Sequence, residues 1–386
     1  MTTPELVHIS QQAIELLQRM IATPSVSRDE QAVADLLEGY MSDLSGLSVH
    51  RHHNNLWMIE PAFDAARPTL LLNAHIDTVK PAASWQHDPF VPAVERVTLA
   101  DGTVEQRLYG LGSNDDGASL VSLLHVFVAL VQDTTLVRNY NLVFVASAEE
   151  EVSGRNGIDS VLNNEGPLAW LAATPRLADG RPALTALVGE PTGMQPAVAE
   201  KGLVVLDGTA HGKSGHAARN EGINALYLGI DAVQRLRDCS FEHTSDMLGP
   251  VKVTVTGMQA GTVHNVIPDV CTFMVDCRTT DAYTNEQVVA HLQDIVGPDV
   301  TLVPRSTRLQ PSGIDARHPL VRRILQLGGV PFGSPTLSDQ ALMRFDSIKM
   351  GPGQSSRSHT ADEYILPSEI REAIAHYYDI LSGLSL

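Results

Sequence analysis

Cysteine is nearly absent: Cys239, Cys271 and Cys277 are all that 386 residues contain, and they form no Cys-x-x-Cys spacing. That argues against a disulfide framework or a cysteine zinc ribbon and points to a reducing compartment, the cytoplasm. Basic charge is scarce as well. A formal net charge of −18, with no local Lys/Arg cluster to offset it, repels nucleic acid and anionic membrane. Long apolar runs are missing: the longest, from about Leu120 to Val131, is broken by Ser122 and His125 and falls short of the roughly 20 residues that span a bilayer. The opening Met-Thr-Thr-Pro-Glu-Leu-Val-His has an early acid and neither the basic start nor the apolar centre of a signal peptide. No fixed-period repeat or low-complexity tract is present. These absences describe a soluble, cytoplasmic chain.

What is present is apolar mass, 43% of the residues, enough for the cores of two domains or more. Leu6, Ile9, Ala13, Ile14, Leu17, Met20 and Ile21 fall on one helical face that Pro24 stops. Ser27 with Glu30 reads as the capping box of a second helix carrying Val33, Leu36 and Leu37. Strand and helix signals then alternate to about Pro191. Short aliphatic and β-branched runs of this kind are what buried strands of a mostly parallel sheet look like.

From about Gly202 the pattern changes. A strand (Leu203 to Ala210), a helix (Asn224 to Arg237), two strands of two-residue period (Val251, Val253, Val255; Cys271, Phe273, Val275), a helix capped by Thr284 and Gln287, and a last strand give the order βαββαβ. That is the ferredoxin-like unit. The expected fold is therefore α/β: a mixed, mostly parallel sheet flanked by helices in a discontinuous catalytic domain, residues 1–201 and 307–386, interrupted by a ferredoxin-like α+β domain at 202–306.

Acids and imidazoles sit at the ends of the apolar runs: Leu-Leu-Leu-Asn-Ala-His75-Ile-Asp77, Leu-Val-Phe-Val-Ala-Ser-Ala-Glu149-Glu150-Glu151 and Leu-Val-Gly-Glu190-Pro-Thr. Gly-Ser-Asn-Asp115-Asp116-Gly and Arg-Ser-His359-Thr-Ala-Asp-Glu are glycine- and serine-flanked loops of the same character. Ligands bind beyond the carboxyl ends of parallel strands, so the pattern reads as a metal-assisted hydrolase. A metal-bound imidazole needs an acceptor on its other nitrogen, and Asp77 can serve His75 in that way. Three adjacent carboxylates repel one another unless cations are near, and neighbouring residues of that triplet can supply both a ligand and a general base. Asp115 is the candidate for a carboxylate bridging two cations, with Asp116 its competitor.

Together these motifs resemble, over essentially the whole chain, the zinc-dependent amidohydrolases of peptidase family M20, the acetylornithine deacetylase and succinyl-diaminopimelate desuccinylase group. The resemblance implies two divalent ions, zinc or else cobalt or manganese, with His75 and Glu190 on one, Glu151 and His359 on the other, and Asp115 bridging. It further implies Glu150 as general base and Asp77 orienting His75. In Gly-Lys-Ser-Gly-His216-Ala-Ala it implies a histidine that reaches a neighbouring subunit's active site, hence a homodimer formed through the inserted lid domain. Val263-His-Asn265-Val-Ile-Pro and Asp276-Cys-Arg278 resemble segments that hold substrate, Arg278 being suited to a bidentate carboxylate contact.

The implied substrate is an N-acyl amino acid of the arginine pathway, N-acetylornithine first, with N-acetylcitrulline, N-succinylornithine, succinyl-diaminopimelate and dipeptides as neighbours. One departure stands out. Where many relatives have Arg-Gly-Ala-x-Asp-Met-Lys-Gly, this chain has Leu111-Gly-Ser-Asn-Asp115-Asp116-Gly117, without either basic residue. A metal-free binding subunit of the same fold would be expected to lose ligands, whereas all five and Glu150 are present.

Overall fold

The computed structural model describes residues 1–386 except 174, 178, 179 and 220. It resolves two compact units. One comprises Met1–Val198, Ile314–Phe332 and Ser338–Leu386; the other comprises Ala199–Gly313 and Gly333–Leu337.

The first unit is built on a mixed sheet whose four central strands, Asn141–Ser147, Thr69–His75, Leu184–Val188 and Asp346–Lys349, lie side by side in that order and run parallel. Every residue of the first three is buried, which accounts for sequences that are apolar throughout rather than alternating. Asn55–Ile59 pairs antiparallel beside Asn141–Ser147, and His50–His52 pairs outside it. Because the central strands are parallel and in register, with His75 opposite Ser147 and Asn73 opposite both Val145 and Val188, their carboxyl ends open at one edge. The residues that follow them are therefore delivered to one place.

Helices cover the sheet. Thr3–Ile21 buries Ala13, Leu16, Leu17, Met20 and Ile21, and its first turn is closed by Glu5, whose carboxylate accepts the Thr2 N–H at 2.7 Å. Gln31–Ser45 buries Val33, Ala34, Leu37 and Met41. Its start differs from the capping box expected at Ser27. Glu30 turns to the Arg28 N–H and the Asn54 amide, and the Ser27 hydroxyl is engaged elsewhere. Ala118–Gln132, the most apolar helix, is buried along nearly its whole length against Pro367–Ser382 and the sheet. Ser113–Gln132 is long and apolar enough to cross a bilayer, but 83% of its most apolar window is inside the structure, which marks a core helix.

The second unit holds a four-stranded antiparallel sheet in the order Lys252–Ala260, Val270–Thr279, Gly202–His211, Val300–Pro304. Helices Ala225–Arg237 and Asn285–Val296 join the strands in the βαββαβ sequence. Burial alternates along Gly202–His211 and Val270–Thr279, so Val204, Leu206, Cys271, Phe273 and Val275 meet Ala232, Leu236, Val288 and Leu292 of the helices. Asn224 and Thr284 cap these helices through Leu226 N–H and Gln287 N–H. The observed class is the mixed α/β sheet with a ferredoxin-like unit that the sequence pattern predicts.

Candidate metal centre

His75 ends its strand fully enclosed, 3% exposed, and its two ring nitrogens face different tasks. Nδ1 lies 2.9 Å from the backbone carbonyl of Asp77. A carbonyl can only accept, so Nδ1 carries a hydrogen and Nε2 is directed into the cleft, 3.2 Å from Asp115 Oδ1 and 3.9 Å from Glu150 Oε2. The Asp77 carboxylate stands farther from Nδ1, at 3.5 Å. It is occupied instead by the N–H groups of Glu150 (3.0 Å) and Glu151 (3.2 Å) and by the Ser27 hydroxyl (2.7 Å). Asp77 thus meets His75 chiefly through its main chain and the glutamate turn through its side chain.

That turn begins at Glu149, whose φ of 54° swings the chain out of the strand. A left-handed non-glycine residue costs about 1 kcal/mol. Glu149 is held there by its own side chain, which accepts from the Asn156 amide at 3.0 Å, and by its carbonyl, which accepts from Gly154 N–H at 2.8 Å. Glu149 is therefore buried and structural, while Glu150 and Glu151 project toward the imidazoles.

Glu151 reaches His359, Oε2 to Nε2 at 3.0 Å, and His359 Nε2 is 3.7 Å from Asp115 Oδ2. One oxygen of Asp115 thus faces His75 and the other faces His359. Asp116, joined to it by a cis peptide, points away: it is buried, with Oδ2 3.4 Å from the His75 N–H. Of the two acids the sequence left in competition, Asp115 stands between the imidazoles and Asp116 lies beneath. Potential ligand atoms of His75, Asp115 and Glu151 come within 4.8 Å of one another, and so do those of His75, Glu150 and Glu190.

The electrostatics follow from crowding acids in a dry cleft. Burial pushes Glu150 well above the usual carboxylate range, and the charges of Glu190, Glu151 and Asp339 add to the effect against the opposing pull of His75. Glu190 is raised for the same first reason, relieved partly by Lys349 and worsened by Asp115 and Asp116. Asp116 is pushed up to about 8 by burial. For His75, burial opposes the charged ring, but the Asp115 and Asp77 carboxylates as hydrogen-bond acceptors and the charge of Glu150 raise it well above its ordinary value. The hydrogen bond to Glu151 lifts His359 to about 9.

Burial and like charge thus favour the protonated forms of Glu150 and Glu190, and carboxylate neighbours those of His75 and His359, where a dication would take the place of the protons. Carboxylate oxygen and imidazole nitrogen suit zinc, cobalt or manganese, and the three thiols all belong to the other unit. The donor set fits divalent ions.

Two buried acids escaped the sequence reading. Asp339 accepts from the Ser147 hydroxyl and, with the Asn73 amide nitrogen turned toward it, from Asn73 at 3.1 Å; burial pushes it up to about 6. Glu363 accepts three loop amides beside Asp115. Neither ends an apolar run, so the signal that marked the others was absent.

His216, Asn265 and Arg278 lie in the second unit. His216 is exposed, in a two-residue strand paired with Val266–Ile267, and its Nδ1 accepts the Ala218 N–H at 3.1 Å. Asn265 is exposed in the adjoining loop, its carbonyl accepting from Ala217 N–H at 3.0 Å. Arg278 is held by Asp276 through two bonds of 2.9 and 3.1 Å. His216 and Asn265 thus share one ribbon.

Comparison with known proteins agrees with this architecture. Residues 198–300 match the peptidase dimerisation domain of the M20 type. The chain is 26% identical over 395 residues to succinyl-diaminopimelate desuccinylase of Corynebacterium glutamicum, covering 96% of each chain. It is 29% identical over 384 residues to acetylornithine deacetylase of Klebsiella pneumoniae, covering 91% of this chain and 92% of the relative. Among solved structures, a dinuclear metal-binding M20 peptidase of Bacillus subtilis superposes with a TM-score of 0.70 at 15% identity, over 97% of this chain and 98% of that one, which shows a common fold.

Proposed function

We propose that this chain, a member of the M20 group and a hydrolase of amide bonds, removes the acyl group from an N-acyl α-amino acid, with N-acetylornithine as the first candidate and ornithine and acetate as products. The observation that carries this reading is the placement of Asp115 between His75 and His359, with Glu150, Glu151 and Glu190 on the same cleft. His75 and Glu190 would hold one divalent ion, Glu151 and His359 the other, and Asp115 both. Zinc is the proposed metal.

When bound, such a pair of ions polarises the amide carbonyl and makes water acidic enough to attack near neutral pH. Glu150 is the proposed base. It would take a proton from the attacking water and return it to the leaving amine, its Oε2 standing 3.9 Å from His75 Nε2 in the same cleft. Asp77 accepts the Glu150 backbone N–H and so helps to hold the turn that carries this base. Arg278 is assigned to the substrate carboxylate, Asn265 to substrate orientation, and His216 to the carbonyl oxygen as negative charge develops there, supplied by a second copy of the chain in a homodimer. A cytoplasmic metabolic role, arginine biosynthesis, fits the substrate and the free thiols.

The test is hydrolysis of N-acetylornithine, N-acetylcitrulline, N-succinylornithine, N-succinyl-diaminopimelate and simple dipeptides, with zinc and with chelator. Chelator-sensitive cleavage of N-acetylornithine above the rest supports the proposal. Preference for a succinyl compound or a dipeptide moves the substrate within the class, and no metal-dependent turnover of any overturns the reading.

A further inference from the structure

Glu363 has no task in the chemistry above, yet its carboxylate is 2% exposed and takes three backbone N–H groups of one loop. Oε1 accepts from Asn114 and Asp115 at 2.8 Å each, and Oε2 from Gly112 at 3.1 Å. The Glu363 carbonyl takes a fourth, from Gly110 at 3.1 Å. The same loop is bonded in the opposite direction by Asn114, which is fully buried. Its Oδ1 accepts the Gln354 N–H at 3.0 Å, and its Nδ2 donates to the Gln354 carbonyl at 3.1 Å and to Ser358 Oγ at 3.2 Å.

Two segments distant in sequence, residues 110–115 and 354–363, are therefore sewn together from both sides. Each carries one candidate ligand, Asp115 in the first and His359 in the second. The chemistry of the seam is strict. Amide N–H groups need an acceptor, and only a carboxylate offers two oxygens and no donor. Gly353 makes the approach possible: it holds a φ of +80°, and a Cβ there would lie 2.2 Å from Asn114 Oδ1. The segment after Glu190 is tied to the same stretch by a separate set of bonds, Thr192 and Met194 N–H to the Gly351 carbonyl at 3.2 and 2.8 Å and Gly193 N–H to the Gly353 carbonyl at 2.7 Å, none of which uses Glu363 or Asn114.

We propose that Glu363 and Asn114 are positioning residues that set Asp115 and His359 as one preformed half of the centre, so that the ion assigned to Glu151 and His359, which takes two ligands from this seam, depends on them more than the ion assigned to His75 and Glu190, which takes only Asp115 from it. This rests on the two-ion reading above. Outer residues of this kind typically alter metal affinity about 10- to 100-fold.

The experiment is calorimetric titration of the full-length, metal-stripped protein with Zn2+, without substrate, for the wild type, Glu363→Gln, Asn114→Ala and His359→Ala. His359→Ala identifies which binding class contains that residue. The expected result is that Glu363→Gln and Asn114→Ala weaken the same class about 10- to 100-fold and weaken the other, which shares only Asp115 with the seam, distinctly less. Far-UV circular dichroism of the metal-stripped variants reports folding, and if Glu363→Gln does not fold, Asn114→Ala carries the test. Equal weakening of both classes, or no weakening, overturns the proposal, because a purely structural clamp would not choose between ions. A wild type that binds fewer than two ions overturns the two-ion reading itself, and this inference with it.

Discussion

Asp77 Oδ1 accepts the backbone N–H of Glu150 at 3.0 Å, so the carboxylate two residues beyond His75 helps to build the turn that carries the proposed base. The same group also takes the Glu151 N–H and the Ser27 hydroxyl. Asp77→Asn retains one carbonyl oxygen but sets an NH2 group against donors, leaving at least one amide without an acceptor. The expected effect is a loss of about 10- to 100-fold in turnover or metal affinity. Ser27→Ala, which removes only one of three donors, should be milder. Wild-type kcat and metal content in Asp77→Asn would show that the carboxylate is dispensable.

Gly154 lies where a side chain cannot. A Cβ there would stand 1.8 Å from Glu149 Oε2 and 2.5 Å from Glu149 Cβ. Since Glu149 holds its left-handed backbone partly through that side chain, Gly154→Ala should displace the turn bearing Glu150 and Glu151. Overpacking of this kind costs about 1–3 kcal/mol. Urea unfolding should show that loss together with reduced turnover, and an unchanged midpoint with full activity would contradict the account.

His216 is exposed and far in sequence from every proposed metal ligand. If it stabilises the developing oxyanion, His216→Ala should lower kcat roughly 10²- to 10³-fold while the protein keeps its full complement of metal. Metal analysis beside steady-state kinetics decides the matter. Equal loss of metal and turnover would sink that role.

How far the sequence could be read depends on what kind of contact each residue makes. His75, Glu150 and Glu190 announce themselves because an apolar run ends where a polar group begins, and a buried parallel strand has no other way to end at a cleft. Glu363 and Asp339 make equally definite contacts, but their partners are backbone amides or hydroxyls some 190 to 250 positions away, and no local periodicity records such a partner. Ser27 illustrates the opposite failure. Its spacing to Glu30 satisfies a capping pattern, yet Ser27 N–H and the Ser25 carbonyl pair with Thr78, which places the hydroxyl against Asp77. A tertiary bond to a buried carboxylate outweighed the local cap. By contrast the Thr284 and Gln287 box, with no such competitor, forms as spaced.

A pH effect on stability should originate away from the cleft, at His125. It is 2% exposed within helix Ala118–Gln132, with Nδ1 2.7 Å from the Val121 carbonyl and Nε2 2.9 Å from the Tyr40 hydroxyl. The carbonyl fixes Nδ1 as a donor, Nε2 accepts from Tyr40, and the neutral ring is fully satisfied. Burial lowers its proton affinity to about 4, against the small opposing effect of the Val121 carbonyl. The unfolded chain then binds the proton more readily than the folded one, so stability is complete above about pH 6.5 and falls as pH drops toward 4. The full contribution is about 3 kcal/mol. His125→Gln keeps hydrogen-bonding capacity without titrating. Urea unfolding of the metal-stripped proteins at pH 7.5 and 4.5 should show the wild type losing about 2–3 kcal/mol more than the variant. Parallel losses would place the acid sensitivity elsewhere, among the carboxylates that the loss of metal leaves uncompensated.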